Sequence, residues 1–234
     1  MTSAKKHRIH DNFGITLDTG REIIEPQYEE KLLGAFISND LSWKNHIRNT
    51  KTSLIKTLTS RINALSKVSQ YSSFLTRKTV ANGMFMSYLS YLIPLYGGSP
   101  EYLITALQTL QNRAARLVTK SDWGTSSSSM MSQIGWLNVR QMIVFHSLMI
   151  IFKTSRDRKP VYLYNQISQK FAVNTRLGVN NGIKETRRFK STLGIQSFTP
   201  RSIKQWNGLP MDIRTESSIV KFRSKLKAFV KLNF

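Results

Sequence analysis

The sequence predicts a mainly α-helical protein with short antiparallel strands at its N-terminus, a three-helix bundle, and a smaller α-rich C-terminal domain with a short β-hairpin. Apolar residues recur at helical spacing in three long stretches, and Gly97-Gly98-Ser99-Pro100 is a strong helix stop between two of them. Alternation of period two is concentrated in the first forty residues. The expected divisions are 1–40 for the strands and a basic tail, 41–122 for the bundle, 123–136 for a linker, and 137–234 for the C-terminal domain with a basic loop at 174–204.

In chain order, Gly14-Ile15-Thr16-Leu17 and Glu22-Ile23-Ile24 alternate around Asp18-Thr19-Gly20, where glycine allows a tight turn. Lys31 to Ile37 reads as a third short strand. Three such strands need a covering element. Ser38-Asn39-Asp40 offers capping oxygens to a long helix whose stripe is Ile47, Leu54, Leu58, Ile62 and Leu65. A second helix is predicted from Thr76 to Tyr96, with Phe85, Tyr88, Tyr91 and Tyr96 expected in the core rather than as stacking platforms. A third runs from Glu101 to about Lys120 on Leu103, Leu107, Leu110, Ala114 and Leu117. Three helices with short connections make a bundle. Ser126-Ser127-Ser128-Ser129 marks the linker or an exposed loop. From Leu137 to Phe152 the chain is apolar nearly all round, which predicts a buried helix. Residues 174–194 are polar, with one hairpin reaching Ser197-Phe198. Ser217 and Ser218 can cap a last helix that turns Ile219, Phe222, Leu226 and Phe229 or Val230 inward and Lys221, Arg223, Lys225, Lys227 and Lys231 outward.

Charge is the dominant bulk property. The 234 residues hold 35 Lys plus Arg against 13 Asp plus Glu, a formal net charge of +22. Residues 1–40 carry five basic and seven acidic side chains, and residues 41–234 carry thirty and six. A surface so positive repels itself unless a polyanion neutralises it, so nucleic acid is the expected partner. A membrane surface is not, because neither terminus shows a basic amphipathic helix with aromatic anchors. The apolar stretch from Met142 to Phe152 is too short to span a bilayer. With no h-region after Met1, secretion is not expected, and an intracellular protein of nucleus or cytoplasm is. The absence of Cys excludes disulfides and thiolate metal sites.

Catalytic patterns are missing. Two-metal phosphoryl transfer needs converging carboxylates, and the sequence has no Asp-Asp pair; its adjacent acids, Glu29-Glu30, lack a third partner nearby. His7, His10, His46 and His146 have no zinc-ligand spacing. No phosphate-cradling glycine loop and no Gly-x-Ser-x-Gly elbow occurs. No enzyme, metal or cofactor is expected.

Binding remains. Three candidate surfaces present cations to phosphates: Lys44, Arg48 and Lys51 on one helix side, Arg113, Arg116 and Lys120 on another, and a C-terminal cluster of Arg187, Arg188, Lys190, Arg201 and Lys204. Only the last interleaves aromatics, Phe189, Phe198 and Trp206, which could stack on unpaired bases. For Trp206 the expected role is burial against the final helix.

Three separated segments carry a resemblance. They are Lys31-Leu32-Leu33-Gly34-Ala35-Phe36-Ile37 leading into Leu41-Ser42-Trp43-Lys44-Asn45-His46-Ile47, then Leu107-Gln108-Thr109-Leu110-Gln111-Asn112-Arg113-Ala114-Ala115-Arg116, then Trp206-Asn207-Gly208-Leu209-Pro210 with Ile213-Arg214. In this order they resemble the region just past the catalytic palm of a non-LTR (LINE-type, Jockey-like) retrotransposon reverse transcriptase, an RNA-directed DNA polymerase, over roughly residues 28 to 232. The resemblance implies a palm-edge strand at Lys31–Ile37, a thumb that grips template–primer duplex through Lys44, Arg48, Lys51, Arg113 and Arg116, and a post-thumb segment around Trp206. The family's fingers, Asp-Asp palm and endonuclease have no counterpart, and would lie before Met1. The implied activity is therefore grip without synthesis, with an exposed sheet edge or local disorder across residues 1–30. Two alternatives stand beside it: a retained module that docks on protein, including a polymerase supplied in trans, and a basic nucleic-acid chaperone.

Overall fold

The run Lys31–Ile37, expected as one strand, is a hairpin. In the computed structural model, which describes residues 15–16, 23–24, 27–168, 182–184 and 189–234, strand β3 (Glu29–Leu32) pairs antiparallel with β4 (Ala35–Ser38), Lys31 opposite Phe36. Leu33 at φ 48° and Gly34 at φ 82° form the two left-handed corners of the turn; this pairing suits the strand twist, and glycine takes its corner without a Cβ clash. The Tyr91 hydroxyl donates to the Leu33 carbonyl at 2.7 Å and ties the turn to the helices. Upstream, β1 (Ile15–Thr16) and β2 (Ile23–Ile24) form a separate antiparallel ribbon. Among the described residues β3 and β4 pair only with each other, so both outer edges of the hairpin lack a strand partner.

Helices build the rest. The long helix expected from residue 41 is divided. A five-residue π-helical turn, Asn45–Asn49, comes first, and α1 (Leu54–Ser69) starts only after an extended Thr50 and Ser53. The expected stripe survives the break, because Ile47, Leu54, Leu58, Ile62 and Leu65 are all buried. The second helix is also segmented. α2 (Phe74–Ala81) passes through the π-helical turn Asn82–Met86 into α3 (Ser87–Ser90). Left-handed Leu92, φ 57°, then redirects the chain into α4 (Ile93–Tyr96). Such one-residue insertions re-aim side chains without ending the helical run. Here the turn sets Asn82 to accept a hydrogen bond from the Trp136 indole at 2.8 Å, and Phe85 stacks on that indole with centroids 6.5 Å apart.

α5 (Glu101–Thr119) packs on α1 and buries Leu103, Ile104, Leu107, Leu110, Ala114, Ala115 and Val118. Each large aliphatic side chain so buried contributes roughly 1.5–3 kcal/mol. The serine run is not a linker. Ser126 caps α6 (Ser127–Ile134), accepting the Ser129 N–H, and Met130, Met131 and Ile134 are buried as α6 packs along α5. Serine is a poor interior helix former but a strong cap, and the methionines that follow supply the apolar face. Left-handed Gly135 ends the helix, with the N–H groups of Gly135 and Trp136 both returning to the Met131 carbonyl.

α7 (Val139–Asp157) is the predicted buried helix. A capping box starts it: the Asn138 side chain accepts from the Gln141 N–H at 2.8 Å, and the Gln141 side chain accepts from the Asn138 N–H at 2.9 Å. Two glutamines of α5 fasten this end, since Gln108 accepts from the Val139 N–H and fully buried Gln111 donates to the Leu137 carbonyl, each at 2.8 Å. α7 packs against α4 and α5 and against α8 (Val161–Ile167), α10 (Phe198–Asn207) and α12 (Ile219–Asn233). Two short helices, α9 (Thr192–Gln196) and α11 (Met211–Arg214), flank α10. Where the hairpin was expected to reach Ser197-Phe198, α9 and α10 stand instead; residues 174–181 and 185–188 of the expected basic loop lie outside the described residues. The buried apolar side chains from Ile47 to Val230 form one continuous cluster. Among the described residues no single helix is long and apolar enough to cross a membrane; α6 and α7 together are, but they are bent by 44° and α7 is largely buried as core.

His46 is buried in this core and His146 is half-buried on α7. His46 lies against Trp43 and Tyr96 with ring centroids 5.9 Å away in each case, and burial lowers its pKa. His146 is lowered by burial and then by the Arg223 charge. For a base lowered in the folded state, the stabilisation is fully present above the ordinary value of 6.5 and is lost as pH falls through the lowered one. The melting temperature should therefore drop between about pH 7.5 and pH 5. His46→Phe, which keeps the ring contacts and removes the proton site, should show a smaller drop. An identical drop in the variant would refute the assignment to His46.

Candidate nucleic-acid interface

The eleven cations singled out by the sequence divide into three groups. Lys44, Arg48 and Lys51 are exposed, but they do not share a helix face: Lys44 precedes the π-helical turn, Arg48 lies in it and Lys51 follows it. The break before Ser53 is the physical reason. Arg113 is exposed on α5, and Lys190 and Lys204 are exposed before α9 and on α10. None of these six forms an ion pair among the described residues.

Three others also make hydrogen bonds within the fold. Arg116 is half-buried and donates to the carbonyls of Asp122, Trp123 and Thr125 at 3.3–3.4 Å, fastening the loop after α5. Lys120 ends α5 in a left-handed conformation and directs its ammonium to the Gln70 carbonyl at 3.4 Å. Arg201 is turned inward, donating to the Pro94 carbonyl, and burial lowers its pKa to about 10. Its guanidinium occupies the space that a Cβ on Gly97 would need, so it joins α10 to α4 and the glycine that follows it, and is not presented to solvent phosphates. Arg187 and Arg188 lie outside the described residues.

The first two groups are also further apart than a single grip would suggest. Lys44, Arg48 and Lys51 surround the start of α1, whereas Lys120 reaches Gln70 just past its end. A sixteen-residue helix separates them by about 24 Å, several phosphate spacings along a duplex.

A fourth group could not be read from helical periodicity. α12 buries Phe222, Leu226 and Val230 against α7 and presents Arg223, Lys227 and Lys231 beside Lys78 of α2. The pKa of Lys227 is lowered, first by partial burial and then by Lys231, Arg223 and Lys78. A lysine lowered in this way carries its charge at a cost to the fold at neutral pH, and the cost disappears only as pH rises past the lowered value. Outward placement on α12 was legible; the approach of Lys78 was not, because it joins helices 150 positions apart in the chain. Lys231 also lines a groove of about 620 Å³ between α5, α6 and the start of α7, whose walls carry Gln108, Asn112, Ser128, Ser132 and Asn138.

The aromatics of the C-terminal cluster divide likewise. Trp206 is buried, its ring 5.8 Å from that of Phe222, as expected for the structural role. Phe189 is partly exposed and Phe198 half-buried against the core. Among the described residues no group of three or more His, Asp or Glu converges on a point that could hold a metal ion.

The fold and its surface thus define a helical protein whose cations, among the described residues, largely lack internal counter-charges. Compared with protein-family models, with curated proteins and with solved structures, the chain matches none of them.

Proposed function

We propose that the protein is a nucleic-acid-gripping module of the kind found past the palm of non-LTR retrotransposon reverse transcriptases, binding the sugar-phosphate backbone of RNA–DNA hybrid or duplex without sequence preference and without carrying out synthesis. One observation supports it above the others: thirty cations follow position 40 against six acids, and only three ion pairs form among the described residues. Two of those pairs, Arg140–Glu101 and Arg156–Asp157, lie on the surface, where such contacts contribute little. The positive field is therefore left for an external polyanion.

Fluorescence anisotropy with a labelled RNA–DNA hybrid tests this. Micromolar or tighter binding is expected in dilute buffer of about 50 mM salt, falling steeply towards about 200 mM. Indifference to the hybrid in dilute buffer would end the proposal.

A second reading, a protein-docking module, is favoured by Tyr28, Leu32 and Leu33, all exposed on the β3–β4 hairpin. Association driven by those side chains would resist added salt, and that resistance distinguishes it from phosphate binding.

A further inference from the structure

Two large rings stand exposed at one end of the helical bundle. Trp123 is 87% exposed and Tyr71 92%. Side chains of this size normally hide most of their surface. Their backbones are nevertheless fastened. Buried Arg77 donates from Nε to the Val118 carbonyl at 2.7 Å and from Nη1 to the Ser72 carbonyl, so the loop after α1 is stitched to the end of α5. Arg116 holds the Trp123 loop by its carbonyls and sets its guanidinium 5.0 Å from the indole centroid. The Lys120–Gln70 contact joins the two loops. The rings are thus presented by fixed backbone.

The surrounding charge says what they would meet. Lys67 on the last turn of α1, Arg113 one turn before Arg116, and Lys120 are all exposed, against the single acid Asp122 in the two loops. A cationic rim around bare π-faces suits a strand whose phosphates are spaced along it and whose bases are unpaired. A duplex offers no such faces along its length.

We infer that this end of the bundle is a stacking platform for single-stranded nucleic acid, Trp123 and Tyr71 taking bases while Lys67, Arg113 and Lys120 meet phosphates. This rests on the nucleic-acid reading above and narrows it: the module holds unpaired template or product as well as duplex.

The test compares the full chain with Trp123→Ala, Trp123→Phe and Tyr71→Ala, each titrated with an oligonucleotide of about twelve nucleotides and with a hybrid of the same length. Trp123→Ala should weaken single-strand binding about tenfold and Tyr71→Ala by a similar factor, with hybrid affinity changed less than about twofold. Trp123→Phe, which keeps a π-face, should recover most of the loss. The wild-type tryptophan emission should be quenched by the single strand, and that quenching should vanish in Trp123→Phe. Single-strand affinity unchanged in both alanine variants overturns the platform, assigns the rings to a protein partner and leaves the nucleic-acid reading standing if hybrid binding persists. Equal losses on both nucleic acids also overturn it, as loop damage. Failure of the wild type to bind either nucleic acid overturns both readings.

Discussion

Replacing Lys78, Lys227 and Lys231 together by alanine is expected to weaken hybrid binding about a thousandfold at about 50 mM salt, and to raise the melting temperature at the same time. The two effects share one cause. Three ammonium groups and Arg223 are held close together by α2 and α12, and the pKa of Lys227 is lowered first by its partial burial and then by that repulsion. Alanine removes that repulsion and is a better helix former than lysine by a small margin, so the fold gains. A phosphate backbone would otherwise be neutralised there. Each lost contact removes about 0.9 from the slope of log affinity against log salt, which is roughly tenfold per contact at 50 mM and about fourfold at 200 mM. The slope should therefore fall by about three, and the affinities of variant and wild type should converge towards about 1 M salt. Weaker binding with an unchanged slope, or a lower melting temperature, would show that these side chains serve the fold and not the ligand.

Phe222→Ala should be the most damaging single core substitution on α12. Phe222 is fully buried, stacks on Phe152 at 4.0 Å between centroids and lies 5.8 Å from the Trp206 ring. Truncating a ring in such a site typically removes about 3–5 kcal/mol, because the neighbours relax only partly into the space. For a chain of this length that corresponds to a fall in melting temperature of roughly 10 °C. The neighbouring Val220, 74% exposed, is the control: Val220→Ala should stay within about 0.5 kcal/mol. Thermal unfolding of the pair decides the matter. Because α12 is held on α7 by Phe222, Leu226 and Val230, the loosened helix should also give up part of its hybrid affinity, in contrast to the alanine triple, which binds less while melting later.

The helices were legible wherever one periodic face met the core. α5 appears at its expected bounds within two residues, α12 starts at its expected cap, and the apolar run from Leu137 became the buried α7. What periodicity could not register were insertions. The stripe through Ile47 and Leu54 holds across a break because the π-helical turn and the extended Ser53 together preserve which side faces inward. The same applies at Asn82–Met86, where the spacing of Phe85 and Leu89 reads as one helix although a π-helical turn intervenes. For the binding residues, type and exposure could be inferred for Arg113 and Lys204 but not for Arg201, whose inward turn depends on the space left by Gly97, more than a hundred positions away. The Ser126–Ser129 run was misread for a local reason: composition suggests flexibility, whereas a single capping hydroxyl and the two methionines that follow were enough to order it.

The order in α6 affects how the chain can be dissected. With its start capped by Ser126 and its end handed directly through Trp136 to the capped start of α7, residues 126–138 act as a splint clamped across α5. A reporter inserted among those serines, or new termini opened there by circular permutation, would pry apart two layers rather than lengthen a tether. The exposed residues 158–160, between α7 and α8, are the better place to open the chain.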